Sequence, residues 1–281
     1  MKTYPIVAMG HCFKNSTAGS YPYEIQCEML AELGYDGVYL SLSPDDMIKV
    51  APKIGDTKEK YGLDVVAAYT SLDIASGPDK ASASQVQTLF ELLPDGCDLE
   101  LSIVSSDGSF SPSSDAGDGR ATEKLMPLLS MAERHHANIC LYNHFGCWIE
   151  RIEDCVRVCG KINHPRLKAV FSAFHWYAVD GKNLSQRVRE AMPYLASVNI
   201  CGTRREGKIA GCTIEPLDCG EMDNFALLGL LHKNGYSGRV CLLGYGIGGD
   251  AYGHLQRSLA AYRSMEDRLV RHPRWQEGVF T

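Results

Sequence analysis

Leu141-Tyr142-Asn143-His144-Phe145-Gly146 and Ala169-Val170-Phe171-Ser172-Ala173-Phe174-His175-Trp176 decide how this chain is read. Each is an apolar run that gives way to polar residues, and each carries a histidine near its end. A short continuous apolar run suits a strand of a parallel sheet, whose covered outer face removes the polar alternation. If both runs are parallel strands of one barrel, His144 and His175 stand at the same rim.

Outward from these runs one unit recurs: apolar run, polar loop, amphipathic segment. The runs towards the N-terminus are Pro5–Gly10, Gly37–Leu42, Asp64–Ser71 and Leu99–Ser105. The two decisive ones span Asn138–His144 and Leu167–Ala173, and Leu195–Gly202 and Arg239–Gly244 follow. Helical periodicity falls between them. Over Tyr23–Leu33, Ile25, Met29, Leu30 and Leu33 keep the 3.6-residue repeat and Gly34 supplies the stop. Further helices are expected over Ala83–Leu93, Ala121–His136, Trp148–Gly160, Asn183–Met192, Asn224–Asn234 and Tyr252–Arg268, and one more opens at Ser43-Pro44-Asp45.

Eight strands alternating with eight helices, with no break in composition, predict an α/β fold. It is a single (β/α)8 TIM barrel, with 1-281 as one domain. A doubly wound open sheet would want a glycine-rich phosphate turn after the first strand, and Gly10-His11-Cys12-Phe13-Lys14 is not one. Ser106–Gly119, mostly Ser, Asp, Gly and Pro, is the longest loop and is expected to act as a flap over the site. Thr203–Thr213 is a second polar loop.

Composition narrows the partners. The net charge is −6, and no Lys/Arg run exceeds Arg204-Arg205, so the basic stripe that a nucleic acid needs is missing. No apolar run approaches the ~20 residues of a membrane span. The stretch from Met1 to Gly10 is too short for a signal peptide's apolar region and reads as the first strand. The 11 cysteines show no CxxC spacing. Cys140, Cys201 and Cys241 in strands and Cys27, Cys155 and Cys159 in helices read as buried free thiols, which implies a reducing, cytoplasmic setting.

In a (β/α)8 barrel the site lies at the carboxyl ends of the strands. There the sequence puts His11 and Lys14 after the first strand and Asp107 after the fourth. Tyr142, Asn143 and His144 end the fifth, His175 follows the sixth, Asn199 lies in the seventh and Tyr245 follows the eighth. Histidine titrates near neutral pH and can move a proton beside a carbonyl, which puts His144 and His175 first. Lys14 offers a contact for a carboxylate or phosphate. Gly244-Tyr245-Gly246-Ile247-Gly248-Gly249-Asp250 is a glycine-rich turn entering the last helix, and its amides suit an anion or a sugar hydroxyl. It is not a P-loop, because no Gly-Lys-Ser/Thr follows. A divalent metal wants carboxylates and histidines converging from several strand ends. Tyr142, Ser172, Asn199 and Leu243, which stand there, are poor ligands.

The chain resembles the xylose isomerase-like TIM-barrel superfamily, the sugar phosphate isomerase/epimerase family, over nearly its whole length. The marks are Leu33-Gly34-Tyr35-Asp36-Gly37-Val38, the Asn143-His144 pair, the histidine after the sixth strand, and Gly235-Tyr236-Ser237-Gly238-Arg239-Val240. Leu141 to Trp148 and Gly244 to Asp250 are similar to one branch of it. The resemblance implies a divalent metal held by a Glu ending the fifth strand, an Asp in the sixth, a His in the seventh and a Glu ending the eighth. Those positions read Tyr142, Ser172, Asn199 and Leu243 here, so the chain looks like a divergent branch lacking the usual ligands, and no cofactor is expected.

The implied function is a sugar or keto-sugar isomerase/epimerase that transfers a proton next to a carbonyl without the family's metal, with lyase chemistry as a variant. His144 and His175 would be acid and base. His11, Lys14, Asp107, Tyr142, Asn143, Asn199, Tyr245 and Gly246 would contact substrate, and Trp148 and Trp176 would wall the pocket. Two other readings stay open. One is a non-catalytic sugar- or metabolite-binding barrel. The other is a metal-dependent isomerase/lyase with a relocated site of His11, His144 and His175 holding Mn, Zn, Co or Mg. The partner is expected to be a small-molecule sugar or sugar derivative, with a homo-oligomer open on analogy alone.

Overall fold

The structure, a computed structural model, describes residues 4–41, 44–75 and 81–277. Its first strands are β1 (Ile6–Met9), β2 (Gly37–Leu40), β3 (Asp64–Asp73) and β4 (Asp98–Val104). They are followed by β5 (Ile139–Tyr142), β6 (Leu167–Ser172) and β7 (Leu195–Ile200). Beyond a hairpin of β8 (Gly202–Ile209) and β9 (Cys212–Glu215) comes β10 (Arg239–Leu242). Among the described residues, all but the hairpin pair close into one parallel barrel in the order β1-β10-β7-β6-β5-β4-β3-β2. Closure is made at β1, where Val7 lies against Gly37 on one side and Cys241 on the other. This is the (β/α)8 TIM barrel that the alternation predicts.

The helices are α1 (Tyr23–Leu33), α2 (Pro44–Ile54), α3 (Thr57–Tyr61), α4 (Ala81–Glu91) and α5 (Asp118–Arg134). Then come α6 (Ile152–Ile162), α7 (Ala173–Val179), α8 (Leu184–Ala191), α9 (Asn224–Lys233) and α10 (Ala251–Arg271). None of the described helices is long and apolar enough to cross a membrane. Helix α1 ends where the sequence places the stop. Gly34 sits at φ +82°, and its N–H closes on the carbonyls of Leu30 and Ala31.

Strand residues divide by period two into an outer and an inner set. Ile6, Val38, Leu101, Leu141, Phe171, Ile200 and Leu242 face outward and join the helices in the main core. Met9, Tyr39, Cys241 and Leu243 belong to an inner cluster, with Cys140, Tyr142 and Val170 beside it. Towards the amino-terminal ends, the inner residues carry charge. Arg239 donates to Asp98 at 2.8 Å and to Glu100 at 3.0 Å, and Tyr39 donates to the other Glu100 oxygen. Burial pushes the Glu100 carboxyl up, while Arg239 and Tyr39 pull it down. This network plugs the barrel beneath the site.

Three segments differ from the sequence reading. Thr203–Thr213 is not a loop but most of the β8–β9 hairpin. His175 is not on a strand run: it lies in α7, which starts directly after β6. Ser106–Gly119 does not form a flap over the cavity. Trp148 pins it elsewhere, donating from Nε1 to Ser114 O at 2.8 Å, while Ser113 Oγ donates to Asp154 at 2.7 Å. A Cβ on Gly117 would lie 2.6 Å from the Trp148 ring, so this close approach needs glycine. The expected helix start at Ser43 falls outside the described residues. The cysteines are free thiols, all buried except the half-buried Cys219.

Candidate active site

A cavity of about 390 Å³ opens at the carboxyl ends of the strands. His11, His144 and His175 line it, with Tyr69, Tyr142 and Tyr245 and the apolar side chains of Met9, Phe174, Ile214 and Leu243. Clefts of about 480 Å³ near Tyr4 and Arg263, and near Lys58 and Arg239, are larger and more open, but no histidine lines them.

The His144 and His175 rings lie 3.9 Å apart, centroid to centroid, at 35°. Both bind the backbone of Phe145. His144 Nδ1 meets the Phe145 carbonyl at 2.9 Å, and the Phe145 N–H meets His175 Nδ1 at 3.2 Å. A carbonyl oxygen only accepts and an N–H only donates, so the two tautomers follow. His144 carries its proton on Nδ1, leaving a lone pair on Nε2. His175 has its lone pair on Nδ1, so its proton is on Nε2. Burial holds His144 below its ordinary pKa, and burial plus the neighbouring His144 hold His175 well below. Both rings are neutral at pH 7, one a base and the other a donor.

His11 differs, because both its nitrogens are occupied. Nδ1 contacts Met9 Sδ at 3.2 Å, and Nε2 hydrogen-bonds the Ser41 hydroxyl. Burial, with Lys14 and His144 adding to the cost of a positive charge, lowers its pKa to about 4. The partnership of Ser41 with His11 appears only in the fold.

Beneath the histidines lie neutral hydroxyls and an amide. Tyr142 Oη and Ser172 Oγ are 3.0 Å apart, and Tyr69 Oη donates to Ser102 Oγ at 3.0 Å. Asn199 accepts from Ser197 Oγ at 3.1 Å, while its buried Nδ2 meets no acceptor at hydrogen-bond geometry among the described residues. Burial, with Tyr69 alongside, raises the Tyr142 phenol well above its ordinary pKa against the polar pull of Ser172 and Asn199. It stays protonated.

Other sequence candidates stand apart from the cavity. Asn143 ties β5 to β6, accepting from Ser172 N at 2.8 Å and donating to Ser172 O at 3.3 Å. Trp148 is buried under the Ser106–Gly119 segment, and Trp176 donates to Lys182 O at 2.9 Å. Asp107 is on the exposed loop, accepting from Ser109 N at 2.9 Å. Lys14 is half-buried and interacts electrostatically with Asp46, but it does not line the cavity. Gly246, at φ +80°, shapes the turn after β10 and is not in the wall. Phe174 and Ile214 were not singled out in the sequence. Phe174 lies within an apolar run, and Ile214 lies just past the segment read as a polar loop.

The donor set does not fit a family-type divalent metal. Tyr142, Ser172, Asn199 and Leu243 carry no carboxylate or imidazole. Among the described residues no group of three or more His, Cys, Asp and Glu side chains is placed to hold an ion. The relocated triad fails on the same ground, since His11 has no open ring nitrogen and His175 Nε2 bears a proton.

Fold and cavity together give a closed (β/α)8 barrel with a neutral histidine pair at the carboxyl-terminal rim of its strands. The chain belongs to the xylose isomerase-like TIM barrel family, whose model matches residues 27–263. Among solved structures it is similar to 3-keto-D-glucoside 4-epimerase from E. coli, with TM-score 0.70 and 18% identity over 93% of this chain and 100% of that one. L-ribulose 3-epimerase is also similar, with TM-score 0.72 and 15% identity over 99% and 100%. A xylose isomerase-like TIM barrel protein from Mycobacterium smegmatis, in complex with magnesium, gives TM-score 0.68 and 17% identity over 94% and 96%. Among curated proteins none matches the chain.

Proposed function

We infer that the protein is a sugar or keto-sugar isomerase/epimerase, working by proton transfer at the carbon beside a carbonyl and without a divalent metal. The observation that carries this reading is the Phe145 peptide, which sets His144 and His175 in complementary tautomers. The similar epimerases lend the substrate class.

His144 Nε2 takes the proton from the carbon next to the carbonyl. Electrons move onto the carbonyl oxygen, where the Nε2–H of His175 donates to the growing negative charge. Neutral imidazole is the right form for each task. A protonated His144 has no lone pair to offer, and His175 gives a hydrogen bond without needing to titrate. The Tyr142 hydroxyl, in the cavity wall, supplies a further neutral donor to the oxyanion or to a sugar hydroxyl. Return of the proton from His144 to the adjacent carbon, with the hydroxyl proton passing between the two substrate oxygens, gives the isomer and restores both rings; an epimer requires the enediolate to turn in the cavity so that His144 delivers the proton to its other face.

The test is solvent-deuterium incorporation into a panel of aldoses, ketoses and 3-keto-glycosides, followed by NMR. Exchange at the carbon beside the carbonyl is expected to persist after dialysis against EDTA. His144→Gln is expected to slow it by about 10²–10⁴-fold. Exchange that is abolished by EDTA and restored by Mn or Mg overturns the metal-free reading. A bound sugar that never exchanges favours a binding barrel instead.

A further inference from the structure

The cavity wall is unusual for a sugar site in carrying no charge. Among the described residues that line it there is no Lys, Arg, Asp or Glu. The three imidazoles are held neutral by burial. What faces the cavity is apolar surface from Met9, Phe174 and Leu243, aromatic rings, and neutral hydrogen-bonding groups. Lys14 and Asp107, the charged candidates near the strand ends, both lie outside the wall.

This surface suits hydroxyls and a carbonyl. It suits a phosphate or carboxylate poorly. A buried anion needs a paired cation or several converging N–H groups, and here it would lose its water without gaining either. The mouth adds a second constraint. Tyr245 lines the cavity yet is 50% exposed, and its ring stands edge-on to His11 at 5.3 Å. A large aromatic half in the cavity and half in water gains most from a ligand that covers its exposed face.

We propose that the site binds an uncharged sugar bearing an apolar substituent, an alkyl or aryl aglycone that lies against Tyr245, and that it discriminates against sugar phosphates and sugar acids. The sugar itself rests on the reading under Proposed function. The charge preference and the aglycone rest on the cavity wall.

Calorimetric titration of the full chain tests it with matched probes in the gluco, galacto and manno configurations: phenyl glycoside, methyl glycoside, 6-phosphate and uronate. In each configuration that binds, the phenyl glycoside is expected to bind about 10-fold tighter than the methyl glycoside. The phosphate and the uronate are expected to bind about 100-fold more weakly than the methyl glycoside, or below detection. Tyr245→Ala should erase the phenyl advantage, bringing the phenyl and methyl glycosides to within about two-fold of each other. Ile214→Lys puts a cation on the half-buried hairpin wall of the cavity and should strengthen phosphate binding by about 10-fold or more.

A phosphate or uronate that outbinds its methyl glycoside overturns the proposal. So does the absence of any glycoside binding at about 20 mM. Failure of the proton-transfer reading looks different. Neutral glycosides that bind in the expected order, while their 3-keto counterparts bind and never exchange deuterium, leave this proposal standing and remove that one. Exchange into a sugar phosphate that outbinds its glycoside does the reverse.

Discussion

At the amino-terminal end of the barrel interior, Arg239 is held by Asp98 and Glu100, and Tyr39 completes the carboxylate. At the carboxyl-terminal end, β5, β6 and β7 present Tyr142, Ser172 and Asn199, and a pair of neutral imidazoles stands just beyond them. One end is charged and mutually paired, apart from a single unpartnered nitrogen, Arg239 Nε. The other is uncharged: Tyr142 and the two histidines line a cavity, and Asn199 Nδ2, buried outside the cavity wall, has no acceptor among the described residues. Buried charges persist only where partners are fixed, so the first end is closed to ligands by its own chemistry. The second keeps hydrogen-bonding capacity in reserve, which a binding site requires.

The largest effect should come from the reserved end. His144→Gln is expected to cut turnover by about 10²–10⁴-fold while changing unfolding free energy by less than about 1 kcal/mol. Activity and urea denaturation measured on the same preparation check both halves. A variant that loses stability as well would make His144 structural and dissolve the contrast. Next comes the paired end. Arg239→Ala leaves two carboxylates facing each other without their cation and should cost about 3–5 kcal/mol of stability. Its remaining folded fraction should keep ligand affinity, read by titration calorimetry. An Arg239 variant as stable as the wild type would mean that the network adds nothing net.

The barrel was legible in the sequence because its strands are short apolar runs and its caps are local. Tyr23–Leu33 with Gly34 falls where the period and the stop place it. The site was legible in part. His144, His175, His11, Tyr142 and Tyr245 do converge on one cavity, since strand ends in a barrel share a rim. Ile214 could not be read, because the β8–β9 hairpin buries only isolated positions such as Thr203 and Cys212, which is too little to impose alternation on its sequence. His175 reads as the end of an apolar strand, since the apolar Ala173–Val179 continues the β6 run and periodicity cannot separate a short helix from it. Trp148, Trp176 and Asn143 have suitable chemistry, but their polar atoms are spent on backbone partners. Only the folded contacts reveal that.

Acid is expected to unsettle the uncharged end first. His11 titrates near 6.5 when unfolded and at about 4 when folded, so the unfolded chain binds its proton more readily. Its contribution is complete above about pH 7 and shrinks as pH falls through 6.5 towards 4. Between pH 7 and pH 5 this amounts to about 2 kcal/mol of lost stability from His11 alone. Urea midpoints across that range should slope less in His11→Gln than in wild type. Parallel slopes would show that the His11 ring is solvated in the folded state.

The smallest effect concerns a residue that lies at neither end. Asp107 follows β4 and so falls, by position, among the strand-end candidates. Its carboxylate is exposed and turned back on its own loop, where hydrogen bonds from Ser109 hold its pKa down. Asp107→Asn keeps an acceptor for the Ser109 N–H, so neither the urea midpoint nor deuterium exchange should change measurably. A clear loss of turnover at unchanged stability would mean that the Ser106–Gly119 segment reaches the substrate after all. It would also bring a negative charge to a site built without one, and the electrostatic contrast between the two ends would then describe only the ligand-free barrel.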